Sequence, residues 1–151
     1  MGRTGRPDFF ELSRDDAVAL LARNHFGRLA FSFRDRVDIE PISYVFSNGS
    51  LYGRTSHGTK LTTLRHDPWI AFEVDEIEGH FDWRSVVVHG TLYFLNDVTT
   101  ERAGESYAHA LELLRKFDAE ALTPADATPD RIMVFRIYPD NIAGRGARSS
   151  K

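Results

Sequence analysis

The residues best suited to chemistry lie in one short segment, residues 54–60. They are Arg54, Thr55, Ser56, His57, Gly58, Thr59 and Lys60. This segment stands where a predicted strand meets a predicted helix, and it supplies two cations, three hydroxyls and a flexible glycine. These groups suit a phosphate, which the free N–H groups at the start of a helix also bind. The alternative is a polar, capped helix start with solvated charges. Because the spacing is not that of a triphosphate-binding P-loop, a phosphate-anchored cofactor fits better than triphosphate hydrolysis.

Two further segments could line a flat ligand. Trp83 and Ser85 stand at the start of a long predicted strand, where they could contact a planar aromatic group. The alternative for Trp83 is ordinary packing at the rim of a barrel. Residues 41–44 add a hydroxyl at Ser43 and a phenol at Tyr44, on a strand that its proline marks as an edge or a bulge.

Other chemistries find little support. The chain has no cysteine, which excludes disulfides, iron–sulfur clusters, thiolate metal sites and cysteine nucleophiles. Its six histidines are scattered, without His-x-His or His-Glu-x-x-His spacing. The acidic residues between 73 and 82 are typical of a solvated strand and turn, and the calcium-loop pattern is missing. We therefore expect no metal site, and no Gly-x-Ser-x-Gly elbow indicates a serine hydrolase.

Composition limits the class of protein. The 151 residues are enough for one domain, and 42% are hydrophobic, enough for a packed core. A net charge of −3 argues against a dedicated nucleic-acid binder. No apolar run approaches the ~18 residues that would span a bilayer, and no secretory signal is recognisable. We expect a soluble cytoplasmic protein with no membrane or nucleic-acid partner.

The hydrophobic pattern predicts the elements that position these residues. Alternating apolar residues predict strands over residues 27–33, 37–46, 51–55, 69–75, 83–95 and 132–138. Helical spacing predicts a first helix capped by Ser13, a short helix over 59–65 and a second main helix over 99–117.

These elements predict one fold and one domain. Short turns join most of the strands, so pairing should be mainly antiparallel, and alternation on one face suits a barrel. The fold class is α+β, a six-stranded, mainly antiparallel small barrel with flanking helices. We expect a flexible N-terminal tail over residues 1–10, the domain over 11–146 and a C-terminal tail over 147–151.

Read in order, several segments are similar to one family. They are Gly27-Arg28-Leu29-Ala30-Phe31, Pro41-Ile42-Ser43-Tyr44-Val45, Leu51-Tyr52-Gly53-Arg54-Thr55, Gly58-Thr59-Lys60-Leu61 and Trp83-Arg84-Ser85-Val86-Val87-Val88-His89-Gly90. The chain resembles the pyridoxamine 5′-phosphate oxidase-like superfamily of FMN-binding split barrels. More narrowly, it resembles the flavin-nucleotide-binding branch that contains the nitroimidazole reductases. The resemblance covers residues 11 to 146.

This resemblance implies a six-stranded split barrel that works as a homodimer, with FMN at the subunit interface and a small-molecule redox substrate. Residues that match the family's phosphate segment are Arg54, Thr55, Thr59 and Lys60, with Ser56 nearby. Residues that match its ribityl chain and ring contacts are Ile42, Ser43 and Tyr44. Trp83 and Ser85 match the strand that approaches the flavin from the partner subunit, and Arg145 matches a C-terminal cation.

The implied function is a flavin-dependent oxidoreductase that acts by hydride transfer at the flavin, with its substrate and catalytic residues unknown. Nitroimidazole reductases of this branch carry a histidine where this chain has Arg54, which argues against nitro-reduction. The substrate motifs of pyridoxamine phosphate oxidation are incomplete near Arg145. The alternatives are a non-catalytic flavin-binding or sensing module, or the same fold with a deazaflavin coenzyme or heme.

Overall fold

The computed structural model describes residues 5–150, except for the side chains of Phe33, Thr59, Lys60 and Leu61. Its elements in chain order are β1 (Asp8–Glu11), α1 (Arg14–Arg23), β2 (Phe26–Phe33), β3 (Arg36–Ser47), β4 (Ser50–Thr55), α2 (Thr59–His66), β5 (Trp69–Gly79), β6 (Asp82–Phe94), α3 (Glu101–Phe117) and β7 (Met133–Arg148). None of the helices in this part of the chain is long and apolar enough to cross a bilayer.

Both main helices begin at residues that satisfy their free N–H groups. The side chain of Ser13 accepts a hydrogen bond from the backbone N–H of Asp16 at 3.1 Å, which caps α1. The side chain of Thr100 accepts one from Ala103 at 3.0 Å, which caps α3. The sequence predicts both helices, and the structure confirms them.

Six strands close into a ring. The sheet runs β1-β7-β4-β3-β2-β5-β6, and β6 pairs again with β7, so that β2 to β7 form a closed barrel. Each pairing is antiparallel. The first part of β7 lies between β4 and β6, and its last part lies between β1 and β6. The α+β split barrel predicted from the sequence is therefore confirmed.

The barrel interior is filled by large apolar side chains from every strand of the ring. Fully buried examples are Leu29, Tyr44, Leu51, Phe72, Val86 and Phe135. Gly53 on β4 is part of this packing, because a Cβ built there would lie 2.4 Å from Cζ of Phe135. The core thus requires a residue without a side chain at this position.

The structure has strand residues in both regions that were expected to be tails. Residues 8–10, expected to belong to the N-terminal tail, form β1 together with Glu11, and the last strand continues to Arg148 instead of ending near residue 138. Residues 139–141 sit at a register shift opposite His89 and Gly90, after which pairing with β6 resumes. Farther along the strand, a Cβ on Gly146 would lie 2.7 Å from the ring of Phe10, so close packing explains a glycine there.

Candidate functional site

Two of the predicted site residues come together on the outer face of the barrel. Ser85 on β6 and Arg145 on β7 are direct partners across the strands. Both line an open groove of about 670 Å³, a volume within the usual range of small-molecule sites. Its wall also includes Phe9, Val87, His89 and Ala143. Apolar walls with a hydroxyl, an imidazole and a guanidinium suit a flat, partly polar ring.

A charged cluster borders this groove on β5. Glu73 accepts a hydrogen bond from the hydroxyl of Ser85 at 2.7 Å, and Arg28 lies 3.4 Å from both Glu73 and Asp75. Burial raises the pKa of Glu73, and the nearby Asp75 raises it further, against the opposing effects of Ser85 and Arg28.

Sequence reasoning assigned these two acids to a solvated strand and missed their role. The register could have revealed it, because Asp75 lies directly opposite Ser85. Alternation along β5 then places Glu73 and Asp75 on the same outer face.

The same outer face is unusually apolar beyond the charged cluster. Val37 and Ile39 on β3 are 78% and 67% exposed. A row of cross-strand partners leads from β3 to the groove. It runs from Ile39 on β3 through Ala30 on β2 and Ala71 on β5 to His89 on β6, which lines the groove. An apolar surface therefore runs continuously from β3 to the groove, which is typical of a protein–protein interface.

The predicted phosphate segment is an open turn. Ser56, His57 and Gly58 are exposed between β4 and α2, and Thr55 is buried. Gly58 has φ of 157°, and among the described residues nothing lies within 4 Å of an added Cβ. Gly58 is the N-cap residue of α2 and has no side chain that could cap the helix. Free N–H groups and an exposed hydroxyl fit a dianionic phosphate. Thr59 and Lys60 form the first turn of α2, and their side chains lie outside the described residues.

Arg54 has a different role from the one predicted. Its side chain is only 9% exposed, and it binds Asp126 through two hydrogen bonds of 2.7 and 3.0 Å. It also donates to the Thr128 hydroxyl, the carbonyl of Arg131 and, at 3.4 Å, the carboxylate of Asp118. The Arg54 guanidinium lowers the pKa of Asp126 well below its usual range, with help from the backbone N–H of Thr128. Because both of its terminal nitrogens donate within the chain, Arg54 anchors the loop between α3 and β7 and is not a free phosphate ligand.

The three residues matched to the ribityl and ring contacts point in different directions. Tyr44 is 1% exposed, and its phenol donates to the carbonyl of Leu21 at 2.7 Å, so its side chain belongs to the core. Burial raises the pKa of Tyr44. Ile42 is also buried in the core. Ser43 faces outward and lines a small cavity of about 70 Å³ with Arg54 and Arg131.

Trp83 lines another depression, of about 160 Å³, together with Glu76, Asp82 and Arg148. Phe10 lines both this depression and the groove that holds Ser85, so the two adjoin. Thr55, just before the turn at residues 56–58, pairs with Met133 at the start of β7, whereas Ser85 of the groove pairs with Arg145 near the end of the same strand. Within one chain, the predicted phosphate contacts and the predicted ring contacts lie apart.

Comparison with known proteins places the chain among relatives of similar size. An uncharacterised protein of Rhizobium meliloti, RA0666, is 30% identical over 146 residues, which cover 90% of this chain and 93% of the relative. The crystal structure of an FAD-binding protein from Mesorhizobium loti is 27% identical, with a TM-score of 0.72, and the match covers 92% of this chain and 96% of that chain. An FAD-binding protein from Mycobacterium smegmatis is 26% identical, with a TM-score of 0.64 and coverage of 91% and 98%.

The sequence profile of the family described as pyridoxamine 5′-phosphate oxidase matches residues 13–146. This range includes the barrel strands β2 to β6, most of β7 and all three helices. The family resemblance drawn from the motifs is confirmed: the chain belongs to the pyridoxamine 5′-phosphate oxidase family.

Proposed function

We propose that this protein binds a flavin nucleotide, FMN, between two copies of the chain and acts as a flavin-dependent oxidoreductase. The observation that carries the proposal is the nearly end-to-end match to the FAD-binding protein of Mesorhizobium loti. FMN and FAD share the isoalloxazine ring, the ribityl chain and its phosphate. The proposed contacts of the protein are with these shared parts.

The turn after β4 is the proposed phosphate site. Ser56 offers an exposed hydroxyl, His57 an exposed ring, and the start of α2 free N–H groups. Thr59 and Lys60 complete the donor set, as the family resemblance implies. Arg54 is left out because Asp126 already occupies it.

The groove of the partner subunit is the proposed wall for the ring. Val87 and Phe9 supply apolar contact, while Ser85, His89 and Arg145 supply polar contacts. The Ser85 hydroxyl donates a hydrogen bond to Glu73, so its oxygen remains free to accept one from the ring. A bound flavin supplies the hydride and electron chemistry, and the protein sets its orientation and access.

The separation of the two half-sites supports a dimer. The turn follows Thr55, which pairs with the start of β7, and the groove lies near the end of β7, so a flavin held by the turn of one chain would meet the Ser85–Arg145 groove of another chain. The exposed Val37 and Ile39 on the same outer face would be buried in such an assembly. Burial of apolar surface provides the driving force for association.

The first experiment is to purify the protein, record its absorbance with and without added FMN or FAD, and measure its mass in solution by light scattering. Mass spectrometry of the molecule released on denaturation distinguishes FMN, FAD, a deazaflavin coenzyme and heme. We expect a yellow dimer that releases FMN. A colourless protein that takes up neither flavin, or a strict monomer, would contradict the proposal.

Turnover separates an oxidoreductase from a flavin-binding module. We expect sustained oxidation of a reduced nicotinamide in the presence of a quinone or another small acceptor. A flavin-loaded protein that cannot be reduced and reoxidised through repeated turnovers with any such pair would instead be a storage or sensing protein.

A further inference from the structure

Another polar cavity lies between α3 and the outer face of the barrel, near the start of β7, whereas the groove lies near the end of that strand. It has a volume of about 250 Å³, slightly below the usual range of drug-sized ligand sites. It shares no lining residue with the groove or with the open turn at residues 56–58. It is therefore a separate feature of the surface.

The half-buried Arg136 lines this cavity from β7. On β7, Arg136 lies opposite Tyr52 on one side and Tyr93 on the other. Its guanidinium carbon is 4.2 Å from the ring centre of Tyr138 and 5.5 Å from that of Tyr52. Its Nε donates to the hydroxyl of Ser50 at 3.0 Å. Two aromatic faces and one hydrogen bond thus hold the guanidinium in a fixed plane.

Among the described residues, neither terminal nitrogen of Arg136 has a hydrogen-bond acceptor. Within residues 5–150, the single hydrogen bond of this side chain is the one from Nε, and no carboxylate forms an ion pair with Arg136 or with Arg102. A guanidinium held in place with its paired donors unused is prepared for a planar contact with an oxyanion.

Helix α3 contributes the facing wall. Arg102, Ser106 and His109 follow one another at helical spacing and line the same cavity as Arg136. They add a second guanidinium, a hydroxyl and an imidazole. Glu105 also lines the cavity and opposes an anion there. The two arginines still outnumber this single carboxylate.

We propose that this cavity binds the phosphate group of a small ligand, either free phosphate or a phosphate monoester. Arg136 and Arg102 bind its oxygens, and Ser106 adds a neutral donor. A phosphate fits better than a carboxylate, because the cavity offers more donors and positive charge than two oxygens need. The site is independent of the proposed flavin site.

The test is calorimetric titration with inorganic phosphate and with phenyl phosphate, using protein saturated with FMN so that any flavin site is filled. If the protein takes up no flavin, the same titration is run without it, and the outcome still decides this proposal alone. We expect saturable binding that Arg136→Gln and Arg102→Gln each weaken about tenfold or more. The matched control is Arg14→Gln, which removes one charge from the exposed start of α1 and should leave binding unchanged.

A further variant and a fallback variant sharpen this test. Glu105→Gln should tighten phosphate binding because it removes the opposing charge. If Arg136→Gln does not fold, Arg102→Gln decides the question, since Arg102 is exposed on α3. Absence of saturable binding at millimolar phosphate, or unchanged affinity in both arginine variants, would overturn the proposal. Binding of benzoate as tightly as phenyl phosphate would overturn its assignment to phosphate.

Discussion

Arg54 and Asp126 are 72 residues apart in the sequence, yet their side chains form a two-pronged ion pair with a shortest distance of 2.7 Å. The carboxylate of Asp126 also accepts hydrogen bonds from the backbone N–H groups of Leu122 and Thr128. This one carboxylate therefore ties the loop before β7 to the strand that leads into the open turn. Because Arg54 lies close to the open turn at residues 56–58, the ion pair also helps to fix the position of the proposed phosphate site.

Asp126→Asn should lower the thermal midpoint of unfolding. The substitution keeps the shape of the side chain but leaves the nearly buried guanidinium of Arg54 without its counter-charge. Differential scanning calorimetry measures the effect. Asp130→Asn, at an exposed position in the same loop, is the control and should change the midpoint far less. Equal effects of the two substitutions would show that the ion pair contributes no special stability.

The same carboxylate predicts a dependence of stability on pH. Arg54 lowers the pKa of Asp126 in the folded state below its unfolded value of about 4. The contribution of the Asp126 carboxylate to the free energy of unfolding is complete above the unfolded pKa. It is lost as the pH falls toward the folded pKa, because the unfolded state then binds more protons than the folded state. The difference in midpoint between wild type and Asp126→Asn should therefore narrow as the pH is lowered from 7 to about 3. A difference that stays constant over this range would be inconsistent with the lowered pKa.

Lys60→Ala should weaken FMN binding about ten- to hundredfold with little loss of stability. Removing a charge-assisted contact costs about 1.5–3 kcal/mol. Quenching of flavin fluorescence on binding measures the affinity. Lys116→Ala, at an exposed position near the end of α3, is the matched control. Unchanged affinity in the Lys60 variant would remove this residue from the site.

Ile39→Glu should dissociate the proposed dimer. The side chain is 67% exposed in the single chain, and a carboxylate placed within an apolar interface would weaken association at least about a hundredfold. Light scattering across a range of protein concentrations measures this, and flavin should be lost with the dimer. Val98→Glu, an exposed apolar residue before α3, is the control. A variant that remains dimeric would move the interface away from this face.

Gly53→Ala should destabilise the barrel by about 1–3 kcal/mol, the usual cost of overpacking a core. The added carbon would lie 2.4 Å from the ring of Phe135, so the ring must move. Gly104→Ala is a control with the opposite sign, because this helical position has nothing within 4 Å of the new carbon and alanine favours the helix by about 0.5–1 kcal/mol. Urea unfolding of both variants tests the pair, and a neutral Gly53→Ala would show that the core is loosely packed there.

Local patterns determined much of this protein. Ser13 and Thr100 start their helices because a hydroxyl satisfies nearby N–H groups, a contact within four residues. Strand alternation placed Leu29 and Phe72 inside the barrel. Such preferences depend on neighbours along the chain, and so they can be predicted from the sequence.

The tertiary structure alone decided which side chains remain available for a ligand. Arg54 looks like a phosphate ligand in sequence, but the pairing of β4 with β7 brings it to Asp126. Tyr44 looks like a ring contact, but its place in the barrel turns its phenol toward Leu21. The physical reason is that hydrogen-bond partners are chosen by distance in space, and antiparallel register brings together residues that no local pattern connects.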